Sequence, residues 1–534
     1  MQKDRLDHSE AARNALGANA DAAQEAGASI PMKLLAVAAI AGVWLAARLA
    51  FWIGYAGADD QFYVRYAWLM HRLPINHMEY RLTTVWPIRL SYLAFGPHEW
   101  AAALPTLLGS AGVLVAVAWF VGWPRTLTWK TNGAMLLACL IPIDVTYATY
   151  PGPGAIAAGF LATGTAALLL GGTAIGIMGA VLLALGFMTH ILMFYYVAIL
   201  CLLAFVCDWR RYWKPVLACV VVSGTLLAAE CTAYKFLQGD FLAQFKTFDV
   251  QLEGGTFVGE REGNSLLKFY LIPLEILCFQ KQFGFDLLVM TVCGLLARKR
   301  LSMPLWILLL STFGYWLWLG YGTTIPWAYR PAARGMHYYT PLILGACVLP
   351  PLALGYVFER RAWLGKTILA GMLLWHVVGL AAGGSWGQRV DVSRELLRYA
   401  QTYPNEQFVT DVYTMNEMYL VNGFELPANV ACLVSKDVRS HLLENKEPKS
   451  TPVFQFEQPL NYDAILYNLV QSEKAVEPAF AAYVKQHRGR VRDSIPKQYK
   501  LLFAPIVSFV GEREFMIRSH GGEIIDVRQT DPER

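Results

Sequence analysis

Long apolar stretches recur between residues 32 and 383, and they constrain the fold of this chain more than any other feature of its sequence. A helix needs about 20 mostly apolar residues to cross the hydrocarbon core of a bilayer. Two stretches, 174–188 and 190–206, are short and barely separated, so they form either two spans or one bent helix. The sequence therefore predicts a polytopic α-helical membrane protein. The eleven predicted spans are 32–54, 101–123, 131–149, 154–172, 174–188, 190–206, 215–236, 279–297, 303–321, 339–358 and 364–383.

The composition agrees with a chain for which lipid is part of the solvent. Of the 534 residues, 55% are hydrophobic and 16% are charged, whereas about a quarter of the residues in soluble domains are charged. The formal net charge of +5 is small for this length, which argues against a dedicated nucleic-acid binder with a basic face. The nine cysteines contain no CxxC pair, so neither a zinc site nor a disulfide framework is indicated.

Basic residues in four short loops predict the orientation of the spans. The loops 123–130, 208–214, 297–300 and 359–366 carry Lys and Arg and follow the second, sixth, eighth and tenth spans. Because such loops are cytoplasmic as a rule, all four agree only with eleven spans and a cytoplasmic N-terminus. Residues 1–31 are then a disordered cytoplasmic leader before an uncleaved signal-anchor. The predicted location is a bacterial inner membrane.

The remaining connections and the C-terminal part are predicted to lie on the periplasmic side. Residues beyond 384 are rich in charge and contain no apolar span. Strand patterns at Gln407–Asp411 and Asp463–Tyr467 accompany amphipathic helix patterns near 392–402 and 473–488. This part is therefore predicted to be a small α/β domain. The predicted periplasmic segments are 55–100, 237–278, 322–338 and 384–534.

The first of these loops carries two adjacent carboxylates, Asp59 and Asp60, directly after the first span. Neighbouring carboxylates repel each other and are costly to desolvate, and when partly buried they make a good base or cation ligand. The alternative is a solvated turn that ends a helix. Apolar and aromatic residues then recur at helical spacing from Tyr63 to Arg72, which predicts a helix in the membrane interface.

The loop 322–338 breaks the rule for basic residues, since Arg330, Arg334 and His337 would lie on the periplasmic side without an acid nearby in sequence. An anionic partner such as a lipid phosphate would account for them, because arginine binds phosphate with a bidentate fork. Pairing with acids of other exterior loops is the alternative.

Four polar residues near the ends of apolar spans have simpler explanations. Asp144 lies near the end of the third span and is predicted to be a helix cap or an acid that snorkels to the surface. Glu230 and Asp286 lie near the exterior ends of spans, so snorkelling is again predicted over a functional role. His190 is predicted to be a helix-end residue between two short stretches.

Four short pieces of sequence, in order and on the predicted periplasmic side, resemble the GT-C glycosyltransferases, in particular the family of protein O-mannosyltransferases and lipid A aminoarabinose transferases. The resemblance covers most of residues 32–383. It departs from the family pattern where Asp-Asp replaces Asp-Glu and where Ala103 replaces the usual arginine. The pieces are Asp59-Asp60…Tyr63, Glu79-Tyr80-Arg81…Pro87, Leu93-Ala94-Phe95-Gly96…Ala102-Ala103-Leu104-Pro105 and Arg334…His337-Tyr338-Tyr339-Thr340-Pro341.

The resemblance implies an inverting transferase that moves a sugar from a polyprenyl-phosphate carrier to an envelope lipid, glycan or protein. One carboxylate of Asp59 and Asp60 would act as the base for the acceptor hydroxyl, and cations would stabilise the leaving phosphate. Glu79, Asp144 and Tyr63 would orient the site or hold a divalent ion such as Mg²⁺ or Mn²⁺. The residues expected to bind the lipid phosphate are Arg81, Arg330, Arg334, His337 and Tyr338.

Other functions fit the sequence less well. A transporter or flippase of lipid-linked sugars predicts similar halves and acids or Gly/Pro breaks inside the spans, and no internal repeat is found. A ligase of lipid-linked glycans would concentrate its chemistry in one late exterior loop, and a membrane anchor would not need eleven spans.

Loop 237–278 is predicted to be either a mobile lid over the site or a plain solvated loop.

Overall fold

The chain forms a bundle of apolar helices followed by a small sheet domain. The computed structural model describes residues 29–56, 60–69, 82–190, 192–241, 266–278, 282–322, 336–383, 388–425, 427–433, 462–469, 478–496 and 521–527. The helices of the first part are α1 Ile30–Ala50, α2 Asp60–Leu69, α3 Leu82–Phe95, α4 Glu99–Val121, α5 Trp129–Leu140, α6 Pro142–Ala148, α7 Pro153–Leu170, α8 Thr173–Thr189, α9 Met193–Cys207, α10 Trp209–Gln238, α11 Leu266–Cys278, α12 Asp286–Leu296, α13 Met303–Tyr321, α14 Ile343–Val357 and α15 Ala362–Gly383, with short 3₁₀ helices at Met336–Leu342 and Glu359–Arg361.

The predicted spans coincide with these helices, and the predicted polytopic helical fold is confirmed. Among the described residues, seven helices are long and apolar enough to cross a membrane, and the bent pair α5–α6 raises the number to eight. Three shorter apolar helices, α8, α9 and α12, occupy the other predicted positions. The two short stretches about His190 are thus two helices.

The bend between α5 and α6 measures 46° and follows from a proline. Pro142 has no N–H, so it cannot donate to the carbonyl of Ala138 one turn earlier. The next residue, Ile143, donates outside its helix (3.3 Å), which leaves the carbonyl of Cys139 without its helical donor. Arg48 of α1 replaces both, since its Nη1 lies 2.6 Å from Cys139 O and its Nη2 lies 3.4 Å from Ala138 O. The broken helix therefore leaves neither carbonyl unsatisfied in an apolar setting.

Glycines let α4, α7 and α8 pack closely. A Cβ added at Gly159 would lie 2.4 Å from the carbonyl oxygen of Gly109, and one at Gly179 would lie 2.8 Å from that of Gly164. Small residues at such positions allow helix backbones to approach in membranes. Through these contacts α4 packs closely on α7, and α7 packs closely on α8.

The C-terminal part contains a five-stranded sheet in the order β2-β1-β3-β5-β4. β1 is parallel to β2 and β3, and β5 is antiparallel to β3 and β4. The predicted strands at 407–411 and 463–467 are confirmed as β1 and β3. The elements are α16 Gln388–Thr402, β1 Phe408–Thr410, α17 Val412–Val421, β2 Val430–Cys432, β3 Ala464–Asn468, α18 Pro478–His487, β4 Arg488–Ile495 and β5 Gly522–Val527.

Both faces of this sheet are covered by helices. Side chains alternate along a strand, so Phe408 packs with Leu396 of α16 while Val409 packs with Phe480 of α18. The central strand β3 is buried on both faces for the same reason, with Ile465 facing α18. The prediction of a small α/β unit is confirmed for the described residues.

The predictions for the acids inside apolar helices are wrong. Asp286 is fully buried, and its Oδ2 lies 2.9 Å from Nε2 of His376 on α15. Glu230 is also buried, with 7% of its surface exposed. Asp286 does not snorkel because a side chain from another helix supplies its partner inside the bundle, which spacing along the chain does not show.

One predicted exterior loop is partly helical. The end of the segment 237–278 is α11, which begins at Leu266. Residues 242–265 of this loop lie outside the described residues, so the choice between a lid and a plain solvated loop stays open.

Candidate active site

The residues that lead into the first-loop helix lie across the end of α6. Ile53 N–H donates to Thr149 Oγ1 (3.0 Å), and Gly54 N–H donates to the carbonyl of Thr149 (3.2 Å). Gly54 has φ +64°, and a Cβ there would lie 1.7 Å from Oε1 of Glu99, so this approach requires glycine. That oxygen accepts a hydrogen bond from Tyr55 N–H at 2.7 Å. The chain is thus attached to α4 and to the end of α6 before it reaches the predicted acids.

Asp60 is fully buried at the first position of α2. Its Oδ2 accepts a hydrogen bond from Ala56 N–H (2.8 Å), and its own N–H donates to Tyr150 Oη (3.1 Å). The first N–H groups of a helix have no acceptor within the helix, so Tyr150 completes this helix start. The carboxylate is consequently held in one orientation beside the segment that follows α6.

A row of aromatic rings extends from Tyr150 to the start of α14. Ring centroids are separated by 6.0 Å between Tyr150 and Tyr147, by 6.5 Å between Tyr147 and His337, and by 3.9 Å between His337 and Tyr338. His190 meets Tyr338 edge to face at 4.7 Å. The structure therefore brings the first-loop acid and the predicted late-loop residues His337 and Tyr338 to the two ends of one aromatic row.

The late-loop end of this row is anchored by the backbone. His337 and Tyr338 lie half-buried in the 3₁₀ helix Met336–Leu342. Thr340 Oγ1 donates to the carbonyl of His337 (3.0 Å), and Tyr315 Oη donates to the carbonyl of Tyr338 (3.0 Å). An imidazole and a phenol can both donate hydrogen bonds to phosphate oxygens, so this end of the row suits an anionic ligand.

Asp144 does not occupy the place predicted for it. It is 1% exposed, and its Oδ2 forms an ion pair with Nη2 of Arg48 and accepts a hydrogen bond from Ser110 Oγ (2.6 Å). The predictions of a helix cap and of a snorkelling acid are therefore wrong, because Arg48 reaches it across the bundle. A lone arginine in an apolar span, such as Arg48 in the first one, is itself a signal of a buried partner.

Several predicted residues lie outside the described part of the chain. The roles of Asp59, Glu79, Arg81, Arg330 and Arg334 therefore stay predictions.

Tyr63 is described, and it lies on α2 with 4% of its surface exposed, inside an apolar cluster. Within the described residues, no group of three or more His, Cys, Asp or Glu side chains could hold a metal ion. The possible divalent ion near Glu79, Asp144 and Tyr63 is likewise still a prediction.

Sequence reasoning missed the residues that connect the site. Tyr147 ends the third span, Tyr150 follows it, and both precede a Pro-Gly-Pro turn, which is the local signal that a helix ends there. His190 ends α8, as predicted, and also contacts the aromatic row. Glu99 gave no signal, because its contacts come from residues distant in the chain.

No family model and no curated protein matches this sequence. Among solved structures, ArnT from Cupriavidus metallidurans bound to undecaprenyl phosphate is 13% identical with a TM-score of 0.49, over 78% of this chain and 89% of that chain. The Archaeoglobus fulgidus oligosaccharyltransferase tethered with an acceptor peptide is 10% identical with a TM-score of 0.43, over 85% of this chain and 72% of that chain. Function is inferred below from the residues of the site.

Proposed function

We propose that this chain is an inverting GT-C glycosyltransferase that moves a sugar from a polyprenyl-phosphate carrier to an envelope lipid, glycan or protein. The observation that carries the proposal is the carboxylate of Asp60, buried and oriented by Ala56 N–H at the start of the first-loop helix. It occupies the position where the sequence resembles the family's acidic motif. The basic loops support a site on the periplasmic face of a bacterial inner membrane.

The base in this reaction acts on the acceptor. An acceptor hydroxyl holds its proton tightly, and its oxygen becomes a useful nucleophile only as that proton leaves. In the proposal the proton moves to Asp60, with Asp59 as its neighbour in the pair. The acceptor oxygen forms a bond to the anomeric carbon while the bond from that carbon to the phosphate oxygen breaks on the opposite face, which inverts the centre.

The leaving group needs positive charge and hydrogen-bond donors. A lipid phosphate departs as a stable anion and takes the bonding electron pair with it, so it requires electrostatic stabilisation rather than a general acid. Arg81, Arg330 and Arg334 are proposed to supply the charge, and His337 and Tyr338 to donate hydrogen bonds.

Addition of EDTA followed by Mn²⁺ tests whether a divalent ion is needed. If transfer is lost with EDTA and then restored with Mn²⁺, the reaction requires a bound metal.

The central experiment follows the donor. Purified protein in detergent is incubated with a panel of polyprenyl-phosphate sugars and crude envelope acceptor, and loss of sugar from the carrier is measured. We expect Asp60→Asn to lower the transfer rate by about 10²- to 10⁴-fold, the range for a lost general base. Asp59→Asn tests the other member of the pair, and Asp493→Asn on the exposed β4 is the matched control.

The outcomes separate the parts of the proposal. Transfer by wild type that Asp60→Asn abolishes, with the variant still folded, supports both the activity and the base. Full activity of both first-loop variants would show that these acids are structural. If every donor keeps its sugar when it is incubated with wild type and acceptor, the proposal of a transferase is overturned.

A flippase of lipid-linked sugars is the second candidate, and the structure adds an observation in its favour. The proline-broken α5–α6 pair and the buried pairs Arg48–Asp144 and His376–Asp286 are interior features of the kind found in transporters. Proteoliposomes decide between the two. Movement of an intact lipid-linked sugar across the bilayer without cleavage would favour the flippase, whereas release of the lipid phosphate would favour the transferase.

A further inference from the structure

The C-terminal domain contacts the first loop through polar groups on both sides of Asp60. Arg394 of α16 forms an ion pair with Oε1 of Glu99, the oxygen that also accepts the hydrogen bond from Tyr55 N–H. Five residues after Tyr55 along the chain lies Asp60 itself. A guanidinium of the C-terminal domain is thus connected, through one carboxylate oxygen, to the backbone that enters the candidate active site.

The second polar contact lies immediately after the acid. The side-chain amide of Asn416 on α17 donates a hydrogen bond to Oε1 of Gln61. Gln61 follows Asp60 in the first turn of α2. Because consecutive residues of a helix share one rigid backbone, a contact that holds Gln61 also restrains the position of Asp60.

Apolar packing joins the same two parts of the molecule. Tyr419, Leu420 and Phe424 of the C-terminal domain form one buried cluster with Tyr55 and Tyr63 of the first-loop region.

Phe424 is central to this cluster, and its ring stacks on Trp68 of α2 at 6.1 Å. Its backbone has φ 67°, a region that residues other than glycine rarely adopt. Such strain persists only where the surrounding contacts outweigh it.

Within this cluster two buried phenols stay neutral. Tyr55 Oη and Tyr92 Oη lie 3.0 Å apart, and burial raises the pKa of both. The surface between the domains therefore combines a dry aromatic centre with polar contacts at Glu99 and Gln61.

We propose that the C-terminal domain is a positioning element for the base, acting through Arg394 and Asn416 rather than by touching the substrate. This inference rests on the proposed function, since it assigns the domain a role in that reaction. In this arrangement Arg394 places the segment before Asp60 and Asn416 places the residue after it, so that the acid is held from both sides.

The experiment compares Arg394→Ala and Asn416→Ala with Arg398→Ala in the full-length protein. Arg398 lies one turn after Arg394 on α16, is 71% exposed and pairs with Glu395 of its own helix, so it is the matched control. A misplacement near 1 Å can cost about 100-fold in rate. We expect kcat to fall by about 10- to 100-fold in the two test variants, with KM for the donor nearly unchanged and Arg398→Ala like wild type. Arg394→Lys should restore part of the rate.

Hydrogen–deuterium exchange supplies a readout that does not depend on activity. Amides of residues 55–69 should exchange faster in Arg394→Ala and Asn416→Ala than in wild type or Arg398→Ala. Faster exchange in the two test variants, together with a wild type that transfers no sugar, would support the domain contact and overturn the proposed function. Unchanged exchange and unchanged kcat in both test variants would overturn the positioning role, and so would a rise in KM for the donor without a fall in kcat.

Discussion

Two sets of arginine–carboxylate pairs in this molecule, one in the helical bundle and one in the C-terminal domain, have opposite surroundings. In the helical bundle, the side chains of Arg48 and Asp144 are 0% and 1% exposed. In the C-terminal domain, Arg492 pairs with Glu406 and Asp526, and these side chains are between 32% and 39% exposed. The chemical groups are the same in both places. The difference lies in whether water can solvate a charge whose partner is lost.

The comparison teaches that the contribution of an arginine–carboxylate pair to the stability of the fold depends on its surroundings more than on its geometry. An unpartnered charge in a dry interior is strongly destabilising, whereas the pair itself adds little over well-packed apolar residues. At the surface, water replaces the lost partner, and the contribution is usually below about 1 kcal/mol. Three substitutions test this ordering.

The largest effect is expected from Arg48→Met. This change leaves Asp144 buried without its cation and removes the donors for the carbonyls of Ala138 and Cys139. We expect the free energy of unfolding to fall by about 3–5 kcal/mol, measured by urea-induced unfolding in detergent micelles. Arg48→Met combined with Asp144→Leu should recover part of the loss, since the two carbonyls and the Ser110 hydroxyl then lose partners but no buried charge does. Equal losses in the single and double variants would contradict the explanation.

An intermediate effect is expected from Asp411, a buried acid of the C-terminal domain that is held by neutral hydrogen-bond donors. Its side chain accepts hydrogen bonds from the N–H (2.8 Å) and Oγ1 (2.6 Å) of Thr414 and caps α17. Asp411→Ala should cost about 1 kcal/mol for the lost cap. This loss is measured by chemical denaturation of the full-length protein, with hydrogen–deuterium exchange of the amides in the C-terminal sheet as the signal. A loss as large as that of Arg48→Met would break the comparison.

The same residue makes a prediction about pH. Burial raises the pKa of Asp411, although hydrogen bonds from Thr414 oppose the shift. A raised pKa means that the folded domain binds this proton more tightly than the unfolded chain. Its contribution to stability is therefore greatest below the unfolded value of about 4, and it is lost as pH rises through the folded pKa. Asp411→Asn should keep the cap and abolish this part of the pH slope, and an unchanged slope would contradict the assignment.

The smallest effect is expected from Arg492→Ala on β4. The free energy of unfolding should fall by less than about 1 kcal/mol, and the difference should shrink further at 1 M salt because exposed charges are screened. Protection of the β4 and β5 amides in the full-length protein is the measurement. A salt-independent loss of several kcal/mol would mean that this pair behaves like the buried one.

The fold was predictable from the sequence to the extent that it depends on local properties. Apolar length shows where helices cross a membrane, and it identified even the short α8 and α9. The acidic motif identified Asp60 as a site residue because the motif and the start of α2 consist of residues that are neighbours in the chain. Arg48 and Asp144 are 96 residues apart, so the sequence shows each charge without showing its partner. The contacts of Arg394 and Asn416 form only when the whole C-terminal domain docks on the first loop, and no local sequence pattern predicts that docking.

The bend at Pro142 has a consequence for the evolution of this chain. The proline removes one backbone donor, and Arg48, more than ninety residues earlier, supplies donors to Ala138 and Cys139 in return. Arg48 cannot become apolar first without leaving the two carbonyls and the carboxylate of Asp144 without their partner. In an alignment of related chains, positions 48, 142 and 144 should therefore co-vary, with an unbroken helix and an uncharged residue at position 144 accompanying an apolar residue at position 48.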